Sequence, residues 1–207
     1  TEEINTCIAC NQACLDHAFA GKTTSCLVNP RACHETVLNW GPAEQPKNFA
    51  VVGAGPAGLA YATVAAERGH AVTLYDAANE IGGQFNLAKQ VPGKEEFHET
   101  IRYYRAMMTK HQVTMRLGEK VDAQALVDAG FDHVVVATGI SPRAPDIAGI
   151  DHDKVVGYID AIRGNKPIGE KVAVIGAGGI GFDVTELITH QGKSSALNIE
   201  RFAKEWG

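Results

Sequence analysis

The sequence has no apolar run long enough to cross a bilayer and no basic-then-apolar leader of the secretory kind. Neither a membrane nor export is therefore expected, and the expected location is the cytoplasm. It has no basic excess either. Nineteen Lys and Arg face twenty-four Asp and Glu, a formal net charge of -5, which excludes a general nucleic-acid-binding surface. Its eight histidines form no pair at helical spacing, so no histidine-based metal site is read. Cysteine is scarce and lopsided, with five in all and none after Cys33. An odd count without a leader disfavours a disulfide framework. No segment is of low complexity, and nothing repeats except two glycine-rich units. What remains, 45% hydrophobic and 21% charged residues over 207 positions, is the composition of a globular chain with one large or two modest domains. The chain opens at Thr1 rather than Met and closes on Glu205-Trp206-Gly207. Both ends read as cut.

The first 45 residues show little helical or strand periodicity and hold all the cysteines. Cys7, Cys10, Cys14 and Cys26 follow the spacing Cys-x2-Cys-x3-Cys-x11-Cys. A tight trio with a distant fourth thiolate can wrap a [4Fe–4S] cube, one sulfur to each iron. Loops suit the task because the backbone must bend to turn several sulfurs inward. A structural zinc site, also tetrahedral in sulfur, is the competing reading. Such sites generally pair two short cysteine knuckles, whereas here three thiols crowd one side. Cys33 is left over and is expected as a small buried hydrophobe. His17 and His34 flank the region and are expected to be partly exposed polar groups.

From residue 46 the pattern changes to strands alternating with helices, which indicates a parallel sheet with covered faces. Asn48–Val52 reads as a buried strand, and Gly53-Ala54-Gly55-Pro56-Ala57-Gly58 as the turn leading into a helix that runs to Arg68. The first glycine permits the tight turn, the second lets backbone approach a pyrophosphate, and the third lets helix and strand pack closely. The phosphate charge then faces a helix N-terminus. Residues 71–75 form the next strand. Asp76, twenty-three residues after Gly53, stands where an acid accepts hydrogen bonds from a ribose. Gly82, Gly83 and Gln84 offer backbone that can lie against a diphosphate, and Thr138-Gly139 closes the most strand-like run, 131–137. A helix is expected over 94–110, with Phe97, Ile101, Tyr104 and Met108 on one face. A strand over 113–117 and a short helix around 123–128 are also expected.

A second unit begins at 171–175, read as a strand, and continues through Gly176, Gly178, Gly179 and Gly181 into a helix with Ile180, Val184, Leu187 and Ile188 turned inward. Asp183 and Glu186 are expected as solvated helix groups. Two nucleotide units in one chain imply a nicotinamide cofactor that gives hydride to a flavin. The choice between NADH and NADPH requires the strand beyond this helix, which the sequence does not contain. The fold class is therefore α/β: a Rossmann-like parallel-sheet FAD domain (46–168), then the start of a second NAD(P)-binding Rossmann unit (169–207), preceded by a loop-rich iron–sulfur segment (1–45).

The stretches CIACNQACLDHAFAGKTTSCLVNPRACHE, VVGAGPAGLAYA, EIGGQFNLAKQVPGKEEF and VAVIGAGGIGFD resemble the bacterial NADPH-dependent 2,4-dienoyl-CoA reductases, which are related to old yellow enzyme. The resemblance spans the whole chain. It implies cluster ligands at Cys7, Cys10, Cys14 and Cys26, FAD on Gly53–Gly58, Asp76, Gly82, Gly83 and Thr138-Gly139, and NADPH at Gly176–Gly181. It further implies an FMN-binding barrel outside these residues, where a dienoyl thioester from unsaturated fatty acids is reduced. Electrons would run from NADPH through FAD and the cluster to FMN, and no residue of this chain would be catalytic toward the acyl-CoA. Enoate reductases and trimethylamine-dehydrogenase-like enzymes share similar cysteine blocks. A thioredoxin-reductase pattern lacks its Cys-x-x-Cys here, and the glutamate-synthase small-subunit type carries a longer cysteine domain. Outside enzymes, a zinc-stabilised or inert binding module is the alternative.

Overall fold

The computed structural model describes residues 1–207. Its strands are β1 (Asn48–Val52), β2 (Ala71–Asp76), β3 (Thr114–Leu117) and β4 (His133–Val136). Its helices are α1 (Leu15–Phe19), α2 (Pro56–Glu67), α3 (Phe85–Ala88), α4 (Phe97–Lys110), α5 (Ala123–Asp128), α6 (Tyr158–Arg163), α7 (Gly179–Thr189) and α8 (Ile199–Trp206), with a 3-10 turn at Ser195–Leu197. The chain divides into two compact units. The first comprises residues 1–85 and 96–139, and the second residues 86–95 and 140–207.

In the first unit all four strands are parallel and lie in the order β3-β2-β1-β4. The chain therefore steps outward from β1 to β3, then returns to place β4 on the other side of β1. Phe49, Ala50 and Val51 are buried in succession, as a strand covered on both faces requires. Proline opens α2 at its first turn, where a missing N–H costs no hydrogen bond. On α2 the buried residues are small or apolar: Gly58, Leu59, Ala62, Thr63 and Ala65. Thr63 satisfies its hydroxyl by donating to the Leu59 carbonyl at 2.8 Å. Ile101, Met107 and Met108 of α4 complete a core with Phe49, Val51, Leu59, Leu74 and Val113. Tyr104 is partly buried against it. The helix starts at Phe97 rather than residue 94, and Lys94, outside it, pairs with Asp183 at 2.6 Å.

The second unit departs further from expectation. Residues 171–175 do not form a strand, and Val172, Val174 and Ile175 are exposed. A parallel strand exists only through its ladder partner, and the second unit contains no strand to pair with it. The following helix α7 forms as expected, yet none of its residues is fully buried. Ile180 is exposed, while Val184, Leu187 and Ile188 are half-buried. Short helices α1, α3 and α6, and the terminal α8, were not legible in the sequence. No helix is long and apolar enough to cross a membrane.

Candidate functional site

The carboxyl ends of β1, β2 and β4 converge where the strand order reverses. In open parallel sheets, ligands collect in that crevice. Gly53 leaves β1 with φ +111°, and its N–H donates to the Tyr75 carbonyl at 2.7 Å. A side chain there would run into the Ala137 carbonyl and lie 3.1 Å from the Cα of Thr138. Gly55 caps α2 in extended backbone, and a side chain at Gly58 would strike the Gly53 carbonyl. The Gly82 N–H donates to the Ala54 carbonyl at 2.8 Å. Gly83 lies against the turn, where a Cβ would come within 2.9 Å of the Gly55 Cα. The turn, Gly82, Gly83 and Thr138 thus surround one edge of the sheet. Gln84, Thr138 and Gly139 are exposed there.

Asp76 has a role that the sequence did not disclose. One carboxylate oxygen accepts the Ala54 N–H at 2.6 Å and the other the Ala78 N–H at 2.7 Å. The acid therefore holds the glycine turn in shape. A carboxylate offers about four acceptor positions, so capacity remains for a ribose hydroxyl. The signal was available in principle, since a turn N–H at the end of a parallel strand needs an acceptor.

In the second unit the same turn is built again. Gly176 has φ +113°, close to the +111° of Gly53, and a side chain at Gly181 would strike the Gly176 carbonyl. Gly178 caps α7 in extended backbone, as Gly55 caps α2. The surroundings differ. Nothing lies within 4 Å of a Cβ placed at Gly176, Gly178 or Gly179, so this turn has no wall corresponding to β4. Asp183 is not a solvated helix group: Lys94 donates to both its oxygens at 2.6 Å. Glu186 faces His190 at 3.5 Å. A cavity of about 450 Å³ opens among Lys89, Val91, Glu95, Leu187, His190 and Lys193. No glycine-turn residue lines it. Burial pushes the Glu95 carboxyl up, but Ser194, backbone N–H groups and His190 together hold it below the usual carboxylate range.

The cysteine segment is curled rather than closed. Ala9 and Asn11, between the first three cysteines, adopt left-handed backbone at φ +54° and +55°. The Ala9 N–H points to Cys7 Sγ at 3.3 Å, the kind of bond that tunes a metal-bound thiolate. Ser25 N–H donates to the Ala13 carbonyl at 2.7 Å, which sets the chain before Cys26 beside the chain before Cys14. His17 Nδ1 lies 3.1 Å from the Thr23 carbonyl, inside the same loop. All five cysteines are free thiols, yet no three His, Cys, Asp or Glu side chains gather closely enough to hold a metal ion. Four thiols are the donor set an iron–sulfur cube requires, while the sulfurs do not converge on a common centre. Cys33 is exposed rather than buried, at φ +61° and 3.1 Å from the Thr24 hydroxyl.

Both ends of the segment are fastened to the first unit's helices. At its exit, the Ala43 N–H donates to the Arg68 carbonyl at 2.8 Å and Arg68 Nε to the Gly41 carbonyl at 3.3 Å. At its entry, Arg102 and Lys110 of α4 hold residues 1–4.

A parallel sheet with a glycine turn at its switch point, an acid bracing that turn and a second copy of the turn define a dinucleotide-binding oxidoreductase domain. The chain belongs to the pyridine nucleotide-disulphide oxidoreductase family, which it matches over residues 47–204. It is similar to a metal reductase of Desulforamulus reducens, with 36% identity over 92% of this chain and 29% of the relative. An NADH oxidase of Thermoanaerobacter brockii is 33% identical over 92% of this chain and 30% of its own length. Among solved structures, 2-naphthoyl-CoA reductase in complex with 2-naphthoyl-CoA superposes with a TM-score of 0.87 at 33% identity, covering 98% of this chain and 33% of that one. The chain thus spans about a third of the length of these relatives.

Proposed function

We propose that this chain is the electron-input part of an NADPH-dependent 2,4-dienoyl-CoA reductase, acting in the cytoplasm on unsaturated acyl-CoA. The observation that carries the reading is one turn built twice behind a curled four-thiol segment, with only the first turn walled by Gly83 and β4. The walled cradle suits a resident FAD, and the open turn a nicotinamide nucleotide that comes and goes. The N–H groups opening α2 would hold the diphosphate, and Asp76, which keeps the turn in shape, would offer its remaining acceptors to the ribose. Gly55 and Gly83, lacking side chains, leave room for the backbone to approach. Cys7, Cys10, Cys14 and Cys26 would hold a [4Fe–4S] group. FAD at the first turn would supply acceptance of the nicotinamide's hydride as an electron pair, and the cysteine-held group would supply transfer of electrons one at a time. FMN and the acyl-CoA would bind in a barrel domain outside these residues. The likeness to an acyl-CoA reductase supports a thioester substrate. The other reading is an enoate reductase, favoured by a cinnamate reductase of Clostridium sporogenes that is 33% identical over 95% of this chain.

The test is anaerobic isolation of the intact protein, metal and flavin analysis, and turnover with paired substrates. About four irons and four sulfides per chain are expected, with FAD, and with NADPH consumed faster with a dienoyl-CoA than with free cinnamate. Stoichiometric zinc without iron would defeat the electron-transfer reading. Preference for the free acid would defeat the thioester assignment alone.

A further inference from the structure

Arg102 makes more hydrogen bonds than a surface arginine needs. Its Nε donates to Glu99 Oε2 at 2.6 Å. Its Nη1 donates to the Glu2 carbonyl at 2.7 Å, to Glu2 Oε2 at 3.4 Å and to the Thr1 carbonyl at 3.5 Å. Its Nη2 donates to the Ile4 carbonyl at 3.0 Å. Lys110, two helical turns further along α4, places Nζ 2.5 Å from Glu3 Oε2. Residues 1–4 are therefore gripped along one face of α4. The grip extends onward, because the Asn5 side chain donates to the Val28 carbonyl at 2.8 Å, just past Cys26. Arg102, with Lys110 beside it, thus fixes the chain on the entry side of Cys7, and Asn5 links that stretch to the chain beyond the fourth cysteine.

The opposite face of α4 is buried. Ile101, Met107 and Met108 are buried in the core shared with Leu59 and Ala62 of α2, the helix that opens on the first glycine turn. A continuous packed path therefore joins the cysteine segment to the nucleotide cradle. A lone exposed ion pair adds little stability. The arrangement here is different: a guanidinium fork spread over main-chain carbonyls, which sets geometry and which an ammonium cannot copy.

We infer that Arg102 is a positioning residue for electron transfer: it holds the segment bearing Cys7, Cys10, Cys14 and Cys26 at a fixed distance from the flavin cradle. The inference rests on the electron-input reading above and adds the residue that sets the spacing. The test uses the intact protein with Arg102→Gln and, as the milder change, Arg102→Lys. Amide exchange is followed over residues 2–9. Anaerobic mixing with NADPH then resolves flavin bleaching from the later loss of iron–sulfur absorbance.

With Arg102→Gln, exchange over residues 2–9 accelerates, flavin bleaching keeps its rate, and the iron–sulfur phase slows several-fold at unchanged iron content. Arg102→Lys falls between, and carries the test if the glutamine variant does not fold. Unchanged exchange overturns the inference. So does accelerated exchange with an unaltered iron–sulfur phase, and so does equal slowing of both phases. Parent protein lacking iron or flavin would instead defeat the electron-input reading, and the exchange measurement would still decide whether Arg102 holds the segment.

Discussion

The most consequential single residue is Asp76, because one carboxylate serves two backbone donors, Ala54 and Ala78. An amide in its place offers one acceptor oxygen and turns an NH2 group toward the other donor. Asp76→Asn is therefore expected to weaken FAD binding by about 1–3 kcal/mol, the range for a donor left unsatisfied, while the sheet stays folded. Flavin titration paired with circular dichroism measures both, and undiminished affinity would show that the brace is dispensable. Tyr104 gives a pH dependence. Burial, and secondarily its neighbour Tyr103, pushes its hydroxyl from 10.0 up to about 12. A folded pKa above the unfolded one contributes stability that is complete below the unfolded value and disappears as pH climbs through the folded one. Wild-type protein should thus lose thermal stability between about pH 10 and 12, and Tyr104→Phe should flatten that slope in melting curves. Asp76 was found from its spacing and Tyr104 from helical periodicity, but neither partner set could be read from order along the chain. The Arg102 grip was missed altogether, because residues 1–4 and 102 are adjacent only in space.

At the scale of elements, periodic apolar patterns that found a covering layer were read correctly. β1, β2 and α2 matched within a residue or two because strand and helix faces meet a common core. Leu74 on β2 is fully buried in that core. Leu74→Ala should accordingly cost about 2–5 kcal/mol in chemical denaturation, the range for an aliphatic cavity; a loss within experimental error would mean that the core is not tightly packed there. The segment 171–175 has an equally apolar pattern and forms no strand. Short helices such as α1 and α6, five and six residues long, escape pattern reading because little more than a turn carries no period.

Across the whole molecule, the cysteine segment is fastened at entry by α4 and at exit by α2, both helices of the first unit. Cofactor loading at the two places should therefore separate. Cys10→Ala in the intact protein is expected to lose iron while FAD stays bound, as iron analysis and the flavin spectrum would report. Loss of both together would mean that the cradle depends on the metal. The sequence by itself determined which chemistry is possible: four thiols at a set spacing, two glycine turns and an acid after the first. Those are local requirements, met by residue type and short-range geometry, and both turns fold alike wherever they stand. Tertiary structure alone decided which turn becomes a walled cradle, where Asp76 spends its hydrogen bonds and how the thiol segment is tethered. Each of these depends on surfaces distant in the chain meeting one another, and strand pairing and packing arise only from that meeting.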